Sequence, residues 1–138
     1  MVHALHEAQR VLQPGGLLID LRPAPVHRHI GISNDGVYRE LGVMRENLSD
    51  DRAANRAVQH VVAEGLFKPG WRSKIPCDRV IDTYREFQVW LAEFVELGRM
   101  PSHDRLAKRV ENALATARGK KKVVIRAPLM LKVLKKPG

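Results

Sequence analysis

The stretch Arg10-Val11-Leu12-Gln13-Pro14-Gly15-Gly16-Leu17-Leu18-Ile19-Asp20 decides how the rest of the chain is read. It joins the end of a helix to the start of a strand. Upstream, Leu5, Ala8, Val11 and Leu12 recur at helical spacing over Val2–Leu12, leaving His6, Glu7 and Gln9 on the other side. Pro14 cannot continue that helix, and Gly15 can adopt the positive φ that closes a helix C-terminus. Arg10, in the last turn, suits the negative end of the helix dipole. Downstream, Leu17–Leu21 is a short continuous apolar run. Such a run fits a strand buried on both faces, as in a parallel sheet flanked by helices. Arg22-Pro23-Ala24-Pro25 ends it, because proline cannot feed a central ladder.

Working outward, Val26–Ile32 and Val37–Val43 flank Asn34-Asp35-Gly36, a hairpin signal, since Asp-Gly supplies the left-handed conformations of a tight turn. Ser49 is a good N-cap, with Asp50 and Asp51 in the first turn of a helix that runs to Glu64 and stops at Gly65. Ala54, Ala57, Val58, Val61 and Val62 form its apolar stripe. Leu66–Ile81 reads as mostly extended, with one edge-type strand, because Pro76 argues against a central position. Thr83 and Glu86 have the spacing of a capping box. The following helix places Phe87, Trp90, Leu91, Phe94 and Val95 on one face and ends near Gly98. Pro101 precedes Ser102, the N-cap expected for a helix with Leu106, Val110, Leu114 and Ala117 as its stripe and Gly119 as its stop. Val123–Leu134 reads as a final strand, interrupted or bulged at Pro128. No internal repeat or low-complexity segment is present.

The chain has 138 residues, which suits one compact domain spanning 1–138. Its apolar content is 44%, enough for a core, and its aromatic content of 5% predicts an aliphatic one. The net charge of +9 would attract nucleic acid, anionic lipid or acidic small molecules. The charges are spread and stacking aromatics are scarce, so a solvated basic surface is favoured over a nucleic-acid interface. The single cysteine, Cys77, allows no internal disulfide and fits a reducing compartment; its alternating, strand-like context predicts a packing role. No apolar run approaches the ~20 residues of a membrane helix. The N-terminus, with His3, His6, Glu7 and Arg10, is not a signal peptide, so a cytoplasmic location is expected.

The stretch Arg10 to Asp20 resembles the segment Arg-Val-Leu-Lys-Pro-Gly-Gly plus apolar strand of class I S-adenosylmethionine-dependent methyltransferases, with Gln13 in place of the usual lysine. In that family the segment joins the helix before the fifth strand to the fifth strand itself. The family fold then continues to a sixth strand and a seventh, the latter inserted antiparallel between the fifth and sixth. The resemblance implies that Leu66–Ile81 serves as the sixth strand and Val123–Leu134 as the seventh. The implied fold class is α/β: a partial Rossmann-like methyltransferase sheet holding the last three strands, with an inserted β-hairpin and flanking helices.

The family binds S-adenosylmethionine with its N-terminal half, through a glycine-rich loop after the first strand and an acidic residue ending the second. Neither can be placed in this sequence; Gly31-Ile32-Ser33 lies in the hairpin, and Gly15-Gly16 is already assigned. No stretch offers strand, glycine-rich turn and helix N-terminus with a later acidic partner. No cofactor residue is therefore carried over. The resemblance implies a methyltransferase remnant or subunit that binds no S-adenosylmethionine alone. The alternatives are an active enzyme when completed by an N-terminal half, and a basic module for nucleic acid or an acidic partner. Without the first four strands, Leu17–Leu21 would be an exposed apolar edge. A homodimer, or a second chain carrying the missing half, is expected to cover it.

The densest polar constellation is Arg22, His27, His29 and Tyr38, with Arg28 among them. On the resemblance these are substrate-side candidates at the C-terminal end of Leu17–Leu21, where ligands of α/β sheets collect. A histidine there can act as a general base; no catalytic residue is assigned. His27 and His29, two apart, would point to one side of a strand. His3 and His6 sit three apart, but no third ligand is suggested, so no metal site is expected. His60 and His103 read as surface residues without partners. Trp71 can serve as a platform, and Trp90 reads as core.

Overall fold

The computed structural model describes residues 1–98 and 102–138. In chain order these form α1 (Val2–Val11), β1 (Leu17–Pro23), β2 (Arg28–Asn34), β3 (Val37–Met44), α2 (Ser49–Ala63), β4 (Lys68–Ile75), β5 (Asp78–Ile81), α3 (Tyr84–Glu96), α4 (Asp104–Thr116), β6 (Lys121–Arg126) and β7 (Leu129–Lys135). The architecture is mixed α/β, with four helices and two antiparallel sheets among the described residues. The elements fall into two compact units, each described by itself. The first comprises residues 1–25, 49–75 and 129–138, and the second residues 26–48 and 76–128.

In the first unit the strand order is β1-β7-β4. Strand β7 is antiparallel to both neighbours, so β1 and β4 run in the same direction. One face of this sheet is covered by α1 and α2. Leu5, Ala57, Val58, Val61, Phe67 and Leu134 form the core there, with Leu12 and Leu18 packed against it. Helix α1 ends as its sequence requires: Gly15 takes φ +78°, and the Leu12 amide donates to the Ala8 carbonyl at 3.1 Å. Its last carbonyls are met from the far end of the chain. Lys136 Nζ donates to the carbonyls of Gln9 and Leu12, both at 2.7 Å, and the backbones of Gly15, Gly16 and Lys136 exchange two further bonds. Arg10 pairs instead with Glu7 one turn back, at 2.9 Å, and Val11 points to solvent.

The expectation that Leu17–Leu21 is buried on both faces is corrected. Strand β1 is at the edge of its sheet, and Leu17, Ile19 and Leu21 are 56%, 65% and 53% exposed. The physical reason is that the helices cover only the face carrying Leu18, and β7 supplies the single neighbouring ladder.

In the second unit the order is β3-β2-β6-β5, antiparallel throughout. The hairpin forms where the sequence places it, with Asp35 at φ 48° and Gly36 at φ +83°. A bulge between Ile30 and Gly31 shifts its register. Helices α3 and α4 pack on the face that carries Ile30, Ile32, Val123 and Ile125. The core is not purely aliphatic: Phe87 and Trp90 stack with ring centroids 6.0 Å apart, and Trp90 meets Phe94 at 4.7 Å. The few aromatics are concentrated where burial rewards their large apolar area.

Two segments expected to be single strands are each split in two. Residues 66–81 give β4 and β5, and residues 123–134 give β6 and β7, the members of each pair lying in different sheets. Pro76 and Pro128 lack the amide hydrogen a ladder needs, so the chain changes sheet at both. The two crossings are tied together, the Ala127 amide donating to the Cys77 carbonyl at 2.8 Å. Cys77 itself is exposed, which overturns its expected packing role. The Thr83 cap holds, its hydroxyl accepting from the Glu86 amide at 3.2 Å. The N-cap position of α4 falls on His103, which makes no side-chain capping bond, rather than on Ser102, which donates to Asp104 at 2.6 Å; the reading of Pro101 before that cap lies outside the described residues.

Candidate functional site

The alternation of β1 puts Leu18, Asp20 and Arg22 on one face, and Leu18 marks it as the face under the helices. The register then places Asp20 opposite Lys132 on β7, and Lys132 opposite Arg72 on β4. In the next row of the same face Arg22, Met130 and Lys74 stand side by side. Helix α2 begins over this end of the sheet and contributes Asn55. A charged row therefore replaces the apolar core toward the C-terminal ends of the two like-directed strands.

Its bonding is specific. Arg22 grips Asp20 with both sides of its guanidinium, Nε to Oδ1 at 2.5 Å and Nη2 to Oδ2 at 2.7 Å. The same Nη2 reaches Asn55 Oδ1 at 3.2 Å, and Lys132 Nζ donates to that oxygen at 2.8 Å. The bond to Asp20 holds the Arg22 guanidinium above its ordinary pKa. Burial pushes the Lys132 ammonium below the usual lysine value, helped by the positive charges of Arg22 and Arg72 and opposed by Asp20.

The other candidates lie in the second unit. His27 precedes β2, and its Nδ1 accepts from the Glu46 amide at 3.1 Å. Its neutral form therefore carries the proton on Nε2. His29, inside β2, pairs through Nδ1 with Glu40 at 2.5 Å. With the proton of neutral His29 held on Nδ1 by this carboxylate, Nε2 is the acceptor nitrogen. The two histidines thus have separate partners. Between them Arg28 is paired with Glu46 and lies over the Phe94 ring, 4.7 Å from its centroid.

Tyr38 and His29 are linked by a residue the sequence did not single out. Arg126 is the register partner of His29 and lies 3.6 Å from the Tyr38 ring centroid. Asp78 is within 3.9 Å of the same guanidinium. Burial pushes the Tyr38 phenol above its ordinary value, with Arg126 opposing the shift. The Tyr38 hydroxyl is buried and has no hydrogen-bond partner among the described residues. A phenol so placed is poorly suited to proton transfer with a ligand.

The structure thus joins His29 to Tyr38 through Arg126 and gives His27 its own partner. Arg22 belongs to the first unit, where its partners are Asp20, Asn55 and Lys132. Sequence reasoning missed Asn55, Lys132 and Arg126, because each acquires its role from strand pairing across more than thirty residues of chain. His60 and His103, expected to lack partners, have them: His60 pairs with Glu64 at 3.1 Å, and His103 Nε2 lies 3.0 Å from the Arg45 carbonyl.

Compared with known proteins, the chain matches no family model, no curated protein and no solved structure. No helix among the described residues is long and apolar enough to cross a membrane.

Proposed function

We propose that these residues are the substrate-side part of a methyltransferase-like fold, unable to bind S-adenosylmethionine alone. The observation that carries the reading is the order β1-β7-β4, with β7 antiparallel between two strands that run in one direction. It is the arrangement the resemblance implies for the fifth, seventh and sixth strands of a class I methyltransferase, and α1 precedes β1 as the resemblance requires. The second unit then stands as an insertion at 26–48 and 76–128, where substrate-recognition elements would be carried. On this reading the open edge of β1 takes a further strand, from a second copy or from a chain that holds the cofactor-binding half.

Calorimetry with S-adenosylmethionine tests the reading. The chain alone is expected to give no heat at millimolar ligand. Micromolar binding to the isolated chain would overturn it. DNA upstream of the reading frame supplies an independent check: a strand, glycine-rich turn and helix encoded in frame or in the adjacent gene favours the completed enzyme.

A further inference from the structure

The charged row of the first unit is electrostatically incomplete. Both Asp20 oxygens are committed to Arg22. Lys132 is half-buried, and its one hydrogen bond among the described residues goes to the neutral amide of Asn55. No carboxylate lies within ion-pair distance of its ammonium among those residues. Arg72 is its register partner on one side, and Arg22 reaches the same amide oxygen from the other. Lys74 follows two residues later on the same face of β4. Asp51, one helical turn before Asn55, is the other carboxylate that influences Arg22. Three cations thus meet two carboxylates, with a fourth cation in the next row.

A partly desolvated ammonium without a counter-ion is unfavourable, and like charges on both sides make it more so. Asn55 relieves one donor but supplies no charge. The remaining N–H donors of Lys132, with the planar guanidinium of Arg72, suit an acceptor that is anionic and presents several oxygens. The row also lies toward the C-terminal ends of β1 and β4, where Asn55 of α2 reaches it.

We propose that Lys132, Arg72 and Arg22, with Asn55 between them, bind a tetrahedral oxyanion, the phosphoryl group of a small phosphate or phosphate ester. The site uses only residues of this chain and does not depend on the methyltransferase reading. Arg22 is held by Asp20 and acts as a fixed wall of positive charge. Lys132 and Arg72 provide the donors that turn toward the ligand. Lys74 adds longer-range attraction.

Titration of the full chain with inorganic phosphate at low ionic strength, followed by NMR, tests this. Saturable shifts are expected at the amides of Asp20, Arg22, Arg72 and Lys132, with a millimolar dissociation constant. Sodium chloride at matched ionic strength should leave them in place. Lys132→Met should weaken phosphate binding roughly tenfold or more. Arg72→Gln, at an exposed position where folding is not at stake, should weaken it several-fold. Lys108→Met, on α4 of the other unit, should leave it unchanged. Glycerol phosphate and adenosine monophosphate in the same titration separate free phosphate from a simple ester and from a nucleotide, by which binds tightest. Shifts that chloride reproduces, or that survive in both Lys132→Met and Arg72→Gln, would overturn the proposal. So would the absence of shifts up to about 50 mM phosphate, about fiftyfold above a dissociation constant of about 1 mM.

Discussion

Arg22 and Lys132 donate to the same oxygen, Asn55 Oδ1, from 3.2 and 2.8 Å. Two cations on adjacent strands are therefore held together by one neutral acceptor from the helix above. Asn55→Ala should release both and lower stability by about 1 kcal/mol, the usual net worth of such hydrogen bonding. Urea unfolding measures it.

Lys132 should also leave a signature in pH dependence. Its folded pKa is lowered by burial and by Arg22 and Arg72, from an ordinary value of 10.5. In the alkaline range below 10.5 the unfolded chain therefore holds more protons than the folded one, and stability rises with pH. Lys132→Met removes that rise. At pH 7, where both states are protonated, it should stabilise the fold by a few tenths of a kcal/mol, the scale of a partly exposed charge. A loss of stability at pH 7 would contradict this account.

Tyr38 behaves in the opposite sense. Its folded pKa is raised by burial from an ordinary 10.0, so the unfolded state releases its proton first and stability falls as pH climbs above 10. Its hydroxyl is buried without a partner among the described residues. Tyr38→Phe should therefore remove the alkaline loss and raise stability at neutral pH by about 1 kcal/mol, since an unsatisfied buried polar group is costly. Thermal unfolding at pH 7 and pH 10.5 tests both statements.

Gly31 sits at the hairpin bulge. A Cβ there would meet the Tyr38 ring and the Arg39 carbonyl. Gly31→Ala should cost about 2–3 kcal/mol, as overpacking does when one of the opposing groups is backbone. A second variant, Gly31→Ala with Tyr38→Val, should recover part of that loss. No recovery would place the strain on the backbone contact alone.

Strand β1 is an edge strand whose outer face exposes Leu17, Ile19 and Leu21, with no lysine or bulge among them. The chain is expected to self-associate at micromolar concentration when no other partner is supplied. Ile19→Lys should weaken that association at least tenfold by light scattering. A clean wild-type monomer under the same conditions would refute an edge-paired copy.

The local chemistry of this chain was legible in its residues. Gly15 after Val11, Asp35-Gly36 between two apolar arms, and Thr83 three before Glu86 each satisfy backbone donors, acceptors or φ angles within a few residues. Turns and caps are determined at that range. The apolar stripes of α2, α3 and α4 were equally plain, because helical periodicity needs no partner to be read. The pairing of strands lay beyond that range. Whether residues 66–81 form one strand or two depends on where Pro76 sends the chain, and that is decided by which sheet offers a ladder. The same holds at Pro128.

The candidate site divides in the same way. The sequence marked Arg22, His27, His29 and Tyr38 as a polar cluster because they are near one another along the chain. Tertiary structure decided their partners. Arg22 joins Asn55 and Lys132 because β1 pairs with β7 beneath α2, while Tyr38 is covered by Arg126 because β2 pairs with β6. By itself the sequence determined the helix-turn-strand at Arg10 to Asp20, since its glycines, proline and apolar run act locally. Only the fold decided that its strand is an edge and that Lys136 closes its helix, because both depend on where a segment more than a hundred residues away comes to lie.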